Sequence, residues 1–392
     1  MQGLRFEGSG MEYFKIWIVN VLLSIVTLGL YYPWAKVRNH RYFYANSTLD
    51  KRNFEYHATG KQLFIGYLIG MALFIAYAII QEVSPTGGLI VTVIFILALP
   101  WIIWRSLKFN MRITSYSNVR FGFVGKLSGS YLNFFVFPIT LMVVIYGGIA
   151  TGIMMILGFA GGNSLIGIII LLLAIALGLI AGSYIKKRNT SYILNGSRYG
   201  QGEFITKVET KQFVKIMLKV IGLSLLMFII IYAVIGALLY LIIGMEGLKG
   251  MIEMKDNPAA IEAALGGQKG LIIGVGYLFF IIASMLIMAY SLTRQRAYVY
   301  ANTTLDEKIS FKSTLSARSL AYIMVTNFLA IIFTLGLAFP WAKVRLARLM
   351  LENTHVSANK GFDAFITQKE KESSSLGDQI GDAFDVDVGL GF

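Results

Sequence analysis

The sequence predicts an all-α polytopic integral membrane protein. It comprises six full transmembrane helices, two further re-entrant or short helical elements, and short β-hairpins on the cytosolic face. Three observations carry that expectation. Of the 392 residues 56% are hydrophobic and 14% charged, and the mean hydropathy is +0.66. A helix needs about 20 mostly apolar residues to cross the hydrocarbon core, and six stretches qualify, at roughly 62–81, 88–104, 131–158, 164–185, 213–243 and 270–292. Last, residues 20–38 recur as residues 327–345 with thirteen of nineteen positions identical, including Thr-Leu-Gly-Leu and Pro-Trp-Ala-Lys-Val-Arg.

The first apolar run, 13–34, ends in Pro33-Trp34 rather than in a small-residue cleavage site, which argues against a removed signal peptide. A polar segment follows, and its Tyr-Ala-Asn-Ser-Thr-Leu-Asp at 44–50 reappears as Tyr-Ala-Asn-Thr-Thr-Leu-Asp at 300–306. Weaker versions stand at Asn118, Asn195 and Asn353. An arginine precedes each asparagine by five to seven positions (Arg41, Arg112, Arg188, Arg296, Arg348), and a phenylalanine follows at five to nine (Phe54, Phe123, Phe204, Phe311, Phe362). Nine positions after four of these lie Leu63, Leu132, Phe213 and Leu320, each opening an apolar segment. The chain thus reads as about five units, each an inbound strand, an apolar segment and an outbound segment. Tyr-x-Tyr and Phe-x-Tyr alternation around Asn-Ser-Thr suggests short strands joined by polar turns. Asn46, Asn118, Asn195 and Asn302 either supply turn geometry or mark a shared binding surface.

Equivalent units enter and leave on one face, so each crosses an even number of times. The first and last units hold about 20 apolar residues each, at 13–34 and 320–341, too few for two crossings. A re-entrant or interfacial helical hairpin bent near Gly29 and Gly336 resolves this, because glycine takes the bend and irregular backbone is tolerated where protein covers it. The alternative is eight transmembrane helices. Charge favours the six-span arrangement: with both termini cytosolic, the outer loops 82–87, 159–163 and 244–269 hold only Lys249, Lys255 and Lys269 of the 35 Lys and Arg residues. Residues 1–358 form one polytopic domain, and 359–392 a flexible acidic tail.

Thr-Leu-Gly-Leu-x-x-Pro-Trp-Ala-Lys-Val-Arg, Arg-Tyr-x-Tyr-Ala-Asn and the opening Phe6, Gly8, Gly10, Tyr13, Phe14 resemble the YjgN family of bacterial inner-membrane proteins. The similarity runs from residue 6 to about 355 and touches the tail around Asp382–Asp387. It implies the bacterial inner membrane. The family is uncharacterised, so the resemblance transfers no substrate or catalytic residue.

The search for chemistry returns little. Cysteine is absent, and His40, His57 and His355 lack metal-ligand spacing, so no metal or cofactor is expected. No nucleophile elbow, phosphate loop or dinucleotide fingerprint appears, and an enzyme is not expected. The net charge of +14 gathers at helix ends, which speaks against nucleic acid and for the positive-inside pattern. Asn20 and Asn327 are the best polar membrane residues, read as caps, interhelical hydrogen-bond partners or solute contacts. Trp34, Lys36, Arg38, Trp341, Lys343 and Arg345 sit where basic groups meet anionic lipid headgroups and aromatic rings anchor at the interface. The expected function is a passive channel or facilitator for a small or amphipathic solute, since charged coupling groups are missing from the spans. The alternative is a structural or lipid-interacting protein without transport.

Overall fold

The computed structural model describes residues 2–159, 162–253, 266–358, 365–367 and 369. Helix starts follow capping chemistry. Glu12 N–H donates to Ser9 Oγ at 3.2 Å while Ser9 N–H donates to Glu12 Oε2 at 3.3 Å, and Thr59 with Gln62 repeats the box before the next apolar run. The helices are α1 (Gly10–Val26), α2 (Tyr32–Ala45), α3 (Gly60–Val83), α4 (Pro85–Arg112), α5 (Leu127–Tyr131), α6 (Phe137–Ile156), α7 (Ser164–Gly196), α8 (Thr210–Glu253), α9 (Lys269–Ala301), α10 (Ala317–Phe333) and α11 (Phe339–Glu352). A π-helical segment, Leu132–Val136, joins α5 to α6, and α8 breaks at Gly244. Six of the described helical segments are long and apolar enough to cross a membrane, and they coincide with the six apolar stretches of the sequence.

The all-α class does not hold. Eleven strands form one antiparallel sheet in the order β1-β11-β10-β9-β8-β7-β6-β5-β4-β3-β2, in place of separate short hairpins. Its two end strands, β1 (Gln2–Gly3) and β2 (Arg5–Phe6), are consecutive pieces of one segment. Between them Leu4 N–H donates to Thr354 O at 2.9 Å, so the sheet returns on itself as a nearly closed barrel. The hairpins β3 (Ser47–Leu49) with β4 (Arg52–Tyr56), β5 (Thr114–Tyr116) with β6 (Val119–Phe123), β7 (Ser197–Tyr199) with β8 (Gly202–Thr206) and β9 (Thr303–Leu305) with β10 (Ile309–Ser313) share one design, a three-residue strand turning into a five-residue strand. Strand β11 is Thr354–Ala358. Positive φ at Asp50 and Lys51, and at Ser117 and Asn118, gives the first two hairpins the turn that matches strand twist. Hydrogen bonds between the inbound and outbound strands of one unit then join hairpin to hairpin, as where Tyr56 pairs with Thr114 and Phe123 with Ser197.

The helices close in the same cyclic order. Each of α1, α2, α3 and α4 packs on the next, α4 leans on α5 and the π-helical segment, and α6 to α11 continue in sequence until α11 packs on α1. In the two short units the helices meet at a tight reversal: Gly29 N–H donates to Ser24 O at 2.7 Å and Gly336 N–H to Ile331 O at 2.7 Å. Leu28 and Leu335, both at positive φ, stand at the tips 92% and 95% exposed. A leucine held in that conformation costs about 1–2 kcal/mol, and both copies carry it.

Candidate functional site

Two regions concentrate chemistry. The first is the interior of the barrel. Strand alternation sends every second side chain inward. Leu49, Tyr116, Tyr199, Leu305 and Val356 occupy the third position of the short strands and of β11, Phe54, Phe121, Phe204 and Phe311 the third of the long ones, and Leu4 the link between β1 and β2. All ten line a cavity of 290 Å³. Two hydroxyls bridge it: Tyr116 O–H donates to Leu49 O at 2.7 Å and Tyr199 O–H to Tyr116 O at 2.9 Å. Phe365 and Ile366, from a helical turn after β11, enter the same cavity with exposures of 6% and 1%. Lys369 anchors that turn through Asp306, Nζ to Oδ2 2.8 Å.

Phe54, Phe204 and Phe311 therefore face the cavity, but Phe123 does not. It lies two residues further along its strand against Tyr192, and Phe121 takes the inward place. Phe362, the outer-loop residues Asp256 and Glu262 and the tail beyond 369 lie outside the described residues. The four asparagines separate. Asn46 and Asn302 end α2 and α9 and donate to Tyr42 O and Tyr298 O at 2.8 and 2.7 Å. Asn118 sits in a hairpin turn, and Asn195 Oδ1 accepts from Thr206 N–H at 2.7 Å.

The second region is the rim where helices meet barrel. Trp34 lies against Gly60, where an added Cβ would come within 2.2 Å of the indole, and Trp341 lies against Gly10 in the same way, also at 2.2 Å. Each indole thus packs on the first residue of the following unit's helix, with α11 following round to α1. Lys343 Nζ donates to Tyr13 O–H at 3.2 Å and sits 4.9 Å from the Phe43 ring centre. Burial lowers its pKa, and burial, followed by the influence of Tyr42, pushes the enclosed Tyr13 up to about 12. Lys36 is half-exposed beside Tyr32, Tyr67 and Phe74 in a groove of 400 Å³.

Asn20 and Asn327 are 3% and 8% exposed, and each holds the arginine of its own helical hairpin. Arg38 Nη1 donates to Asn20 Oδ1 at 3.4 Å and Arg345 Nη1 to Asn327 Oδ1 at 2.9 Å. The third unit builds the same pair from Arg188 and an asparagine that the spacing does not mark: Arg188 Nε donates to Asn133 Oδ1 at 3.0 Å, with Asn133 3% exposed on the π-helical segment. A signal was present. Eleven positions before each of Leu49, Tyr116, Tyr199, Leu305 and Val356 stands an arginine, Arg38, Arg105, Arg188, Arg294 or Arg345, and four before that an aromatic, Trp34, Trp101, Tyr184, Tyr290 or Trp341. Counting from the strand rather than from asparagine marks all five arginines, of which Arg38, Arg188 and Arg345 carry the asparagine contact.

Six apolar spans arranged as helical hairpins beneath one barrel define a multi-pass membrane protein of mixed α and β structure. The family described as bacterial protein of unknown function, DUF898, matches residues 1–383, and the chain belongs to it. It is 31% identical over 360 residues to Inner membrane protein YjgN of Salmonella typhimurium, covering 91% of this chain and 88% of the relative. To the protein of that name from Escherichia coli K12 it is 28% identical over 362 residues, covering 90% and 87%. No solved structure matches.

Proposed function

We propose that the chain is an inner-membrane protein of five equivalent units, without catalytic activity of its own, that offers an amphipathic solute a passive route between its helices. The two short helical hairpins are re-entrant in this reading, and both termini are cytosolic. The observation that carries it is the sparse burial of the spans. Each keeps principally to its sequence neighbours, and at most 11% of the residues in the apolar 18-residue stretch of any span are buried within the protein. A helix inside a packed bundle would bury much of one face. The faces left over are lined by residues such as Phe74, Leu172 and Phe280, which suit an acyl or aromatic body rather than a hydrated ion. Reconstitution into proteoliposomes tests this: amphipathic solutes should equilibrate faster than across protein-free vesicles, and rates no different for every solute class would remove the proposal.

A second reading, lipid interaction without transport, draws on the rim. Among the described residues Arg38, Arg188 and Arg345 have no carboxylate within 4.0 Å, and each follows an apolar stretch in the sequence. Such cations favour anionic headgroups. Retention of anionic lipid by the purified protein, measured by native mass spectrometry, is its test.

A further inference from the structure

We infer that the asparagine-clamped arginines are built binding sites for a phosphate group, the most complete being the groove at Arg188, and that the group belongs to an anionic lipid. The inference rests on the lipid reading and narrows it from a basic rim to defined sites.

The groove has a volume of 620 Å³ and is lined by Lys126, Ser128, Asn133, Tyr184, Lys187 and Arg188, among others, with no acidic residue in its lining among the described residues. Asn133 Nδ2 donates to Gly129 O at 2.8 Å, which turns its carbonyl oxygen toward Arg188 Nε. Arg188 Nη1 donates to Tyr184 O–H at 3.2 Å, and the guanidinium lies 4.6 Å from the centre of the Phe137 ring. Two of the five guanidinium N–H donors are thereby used to fix the plane. Those left over form a fork of the kind that matches phosphate oxygens, held still before any ligand arrives.

A buried asparagine is an unusual anchor for a residue whose only task is to reach water. An arginine at the end of an apolar helix does that without help, by extending its stem. Here the same anchor recurs with the amide nitrogen tied off each time, to Asn39 Oδ1 at 3.1 Å from Asn20 and to Ala342 O at 2.9 Å from Asn327. Arg38 also copies the tyrosine contact, Nη1 to Tyr31 O–H 3.2 Å. What the three share is an oriented guanidinium with spare donors and neutral partners. Neutral partners leave its full charge for an anion, whereas a carboxylate would cancel it.

The test uses the full chain in mild detergent, titrated with phosphatidylglycerol and, in parallel, with phosphatidylcholine, and read by native mass spectrometry. Wild type should retain phosphatidylglycerol in preference. Arg188→Gln should weaken that retention about tenfold, the effect of losing a charge-assisted pair. Asn133→Ala leaves the net charge untouched and should still weaken it several-fold. Arg188→Lys, which keeps the charge and loses the fork, should do the same and serves if Asn133→Ala fails to fold. Lys186→Gln, on the same helix but outside the groove lining, should retain lipid as wild type does. Wild-type retention by both Asn133→Ala and Arg188→Lys would overturn the clamped site while leaving charge-driven lipid binding standing. No preference for phosphatidylglycerol in wild type would overturn both. Displacement by millimolar inorganic phosphate would overturn the lipid source and assign the groove to a soluble anion.

Discussion

Gly10→Ala tests whether the ring of helices is closed, because its consequence depends on a contact between residues 331 positions apart. The added Cβ would lie 2.2 Å from Trp341 Cδ1 and 2.8 Å from both Cγ and Nε1. An indole cannot yield atom by atom, and this one also lies against the Phe14 ring, tilted by 33° at 5.0 Å. Overpacking of that kind costs about 1–3 kcal/mol. The alanine gains little in return, since Gly10 is the first residue of α1 and the interior advantage of about 0.5–1 kcal/mol over glycine is not fully available there. In a Trp341→Ala background the clash has no partner, so Gly10→Ala should become neutral. A double-mutant cycle should therefore return a coupling of about 1–3 kcal/mol. Gly60→Ala with Trp34→Ala should return the same, the Cβ there also meeting the indole at 2.2 Å. Unfolding in mixed micelles followed by far-ultraviolet circular dichroism supplies the four stabilities for each cycle. Coupling at Gly60 with none at Gly10 would mean that α11 and α1 do not meet, and the ring would be an open arc.

The remaining predictions concern the barrel, acid sensitivity and orientation. Tyr116→Phe leaves the carbonyl of Leu49 without its 2.7 Å partner in a buried place and should lower stability by about 1–3 kcal/mol in denaturant titration. A change under a few tenths would mean water reaches that oxygen. The pKa of His40 is held below 6.5 by burial first, and then by Lys36 and Lys343. The unfolded chain consequently binds the proton more readily, so the stability His40 contributes is present above pH 6.5 and is lost as pH falls through its folded value. Thermal scans of wild type should drop on acidification below that point, and His40→Gln should drop less. Single cysteines at Asn39 and Leu346 should both resist an impermeant thiol reagent in intact cells while one at Gln268 labels, and labelling at only one of the first two would sink the re-entrant reading.

The spans were legible because apolar length is a one-dimensional property, and the turns because residues such as Asp50 and Asn118 announce them. The barrel was not. Three-residue strands such as Ser47–Leu49 are too short to show a period of two, and the pairs that fuse hairpins, such as Tyr56 with Thr114, join residues far apart along the chain. The choice between Phe121 and Phe123 was equally beyond spacing, because both lie on one face of the strand. Hydrogen-bond register decides it by setting Phe121 opposite Tyr199. Asparagine misled as a reference point since it serves two purposes, ending a helix at Asn46 and turning a hairpin at Asn118. Spacing also could not show that Lys343, half-buried, reaches Tyr13 and Phe43 of other helices, because those residues lie 330 and 300 positions away.

One junction of the barrel, between β11 and β1, closes by strand pairing without a turn. Within each unit the inbound strand pairs with the outbound strand, and from unit to unit a hairpin turn carries the sheet onward: β3 to β4, β5 to β6, β7 to β8 and β9 to β10. Between the last unit and the first no turn is possible, because β11 and β1 lie near opposite ends of the chain. Their pairing, Gln2 with Val356 and Gly3 with His355, replaces it without a covalent link. A covalent turn closes a loop of a few residues, whereas this seam closes one of roughly 350, at an entropic cost that grows with the logarithm of length. The contacts that offset it repeat those at a turn-linked junction. Arg348 Nη2 donates to Gly8 O at 2.9 Å where Arg41 Nη2 donates to Ala58 O at 3.0 Å, and Trp341 covers Gly10 where Trp34 covers Gly60. Lys343 and Tyr13 then add a contact across the same seam. The shared Pro-Trp-Ala-Lys-Val-Arg thus stands at the two junctions flanking the first unit, one linked by the turn between β3 and β4 and one held by strand pairing alone, and at both its indole covers the first residue of the next helix.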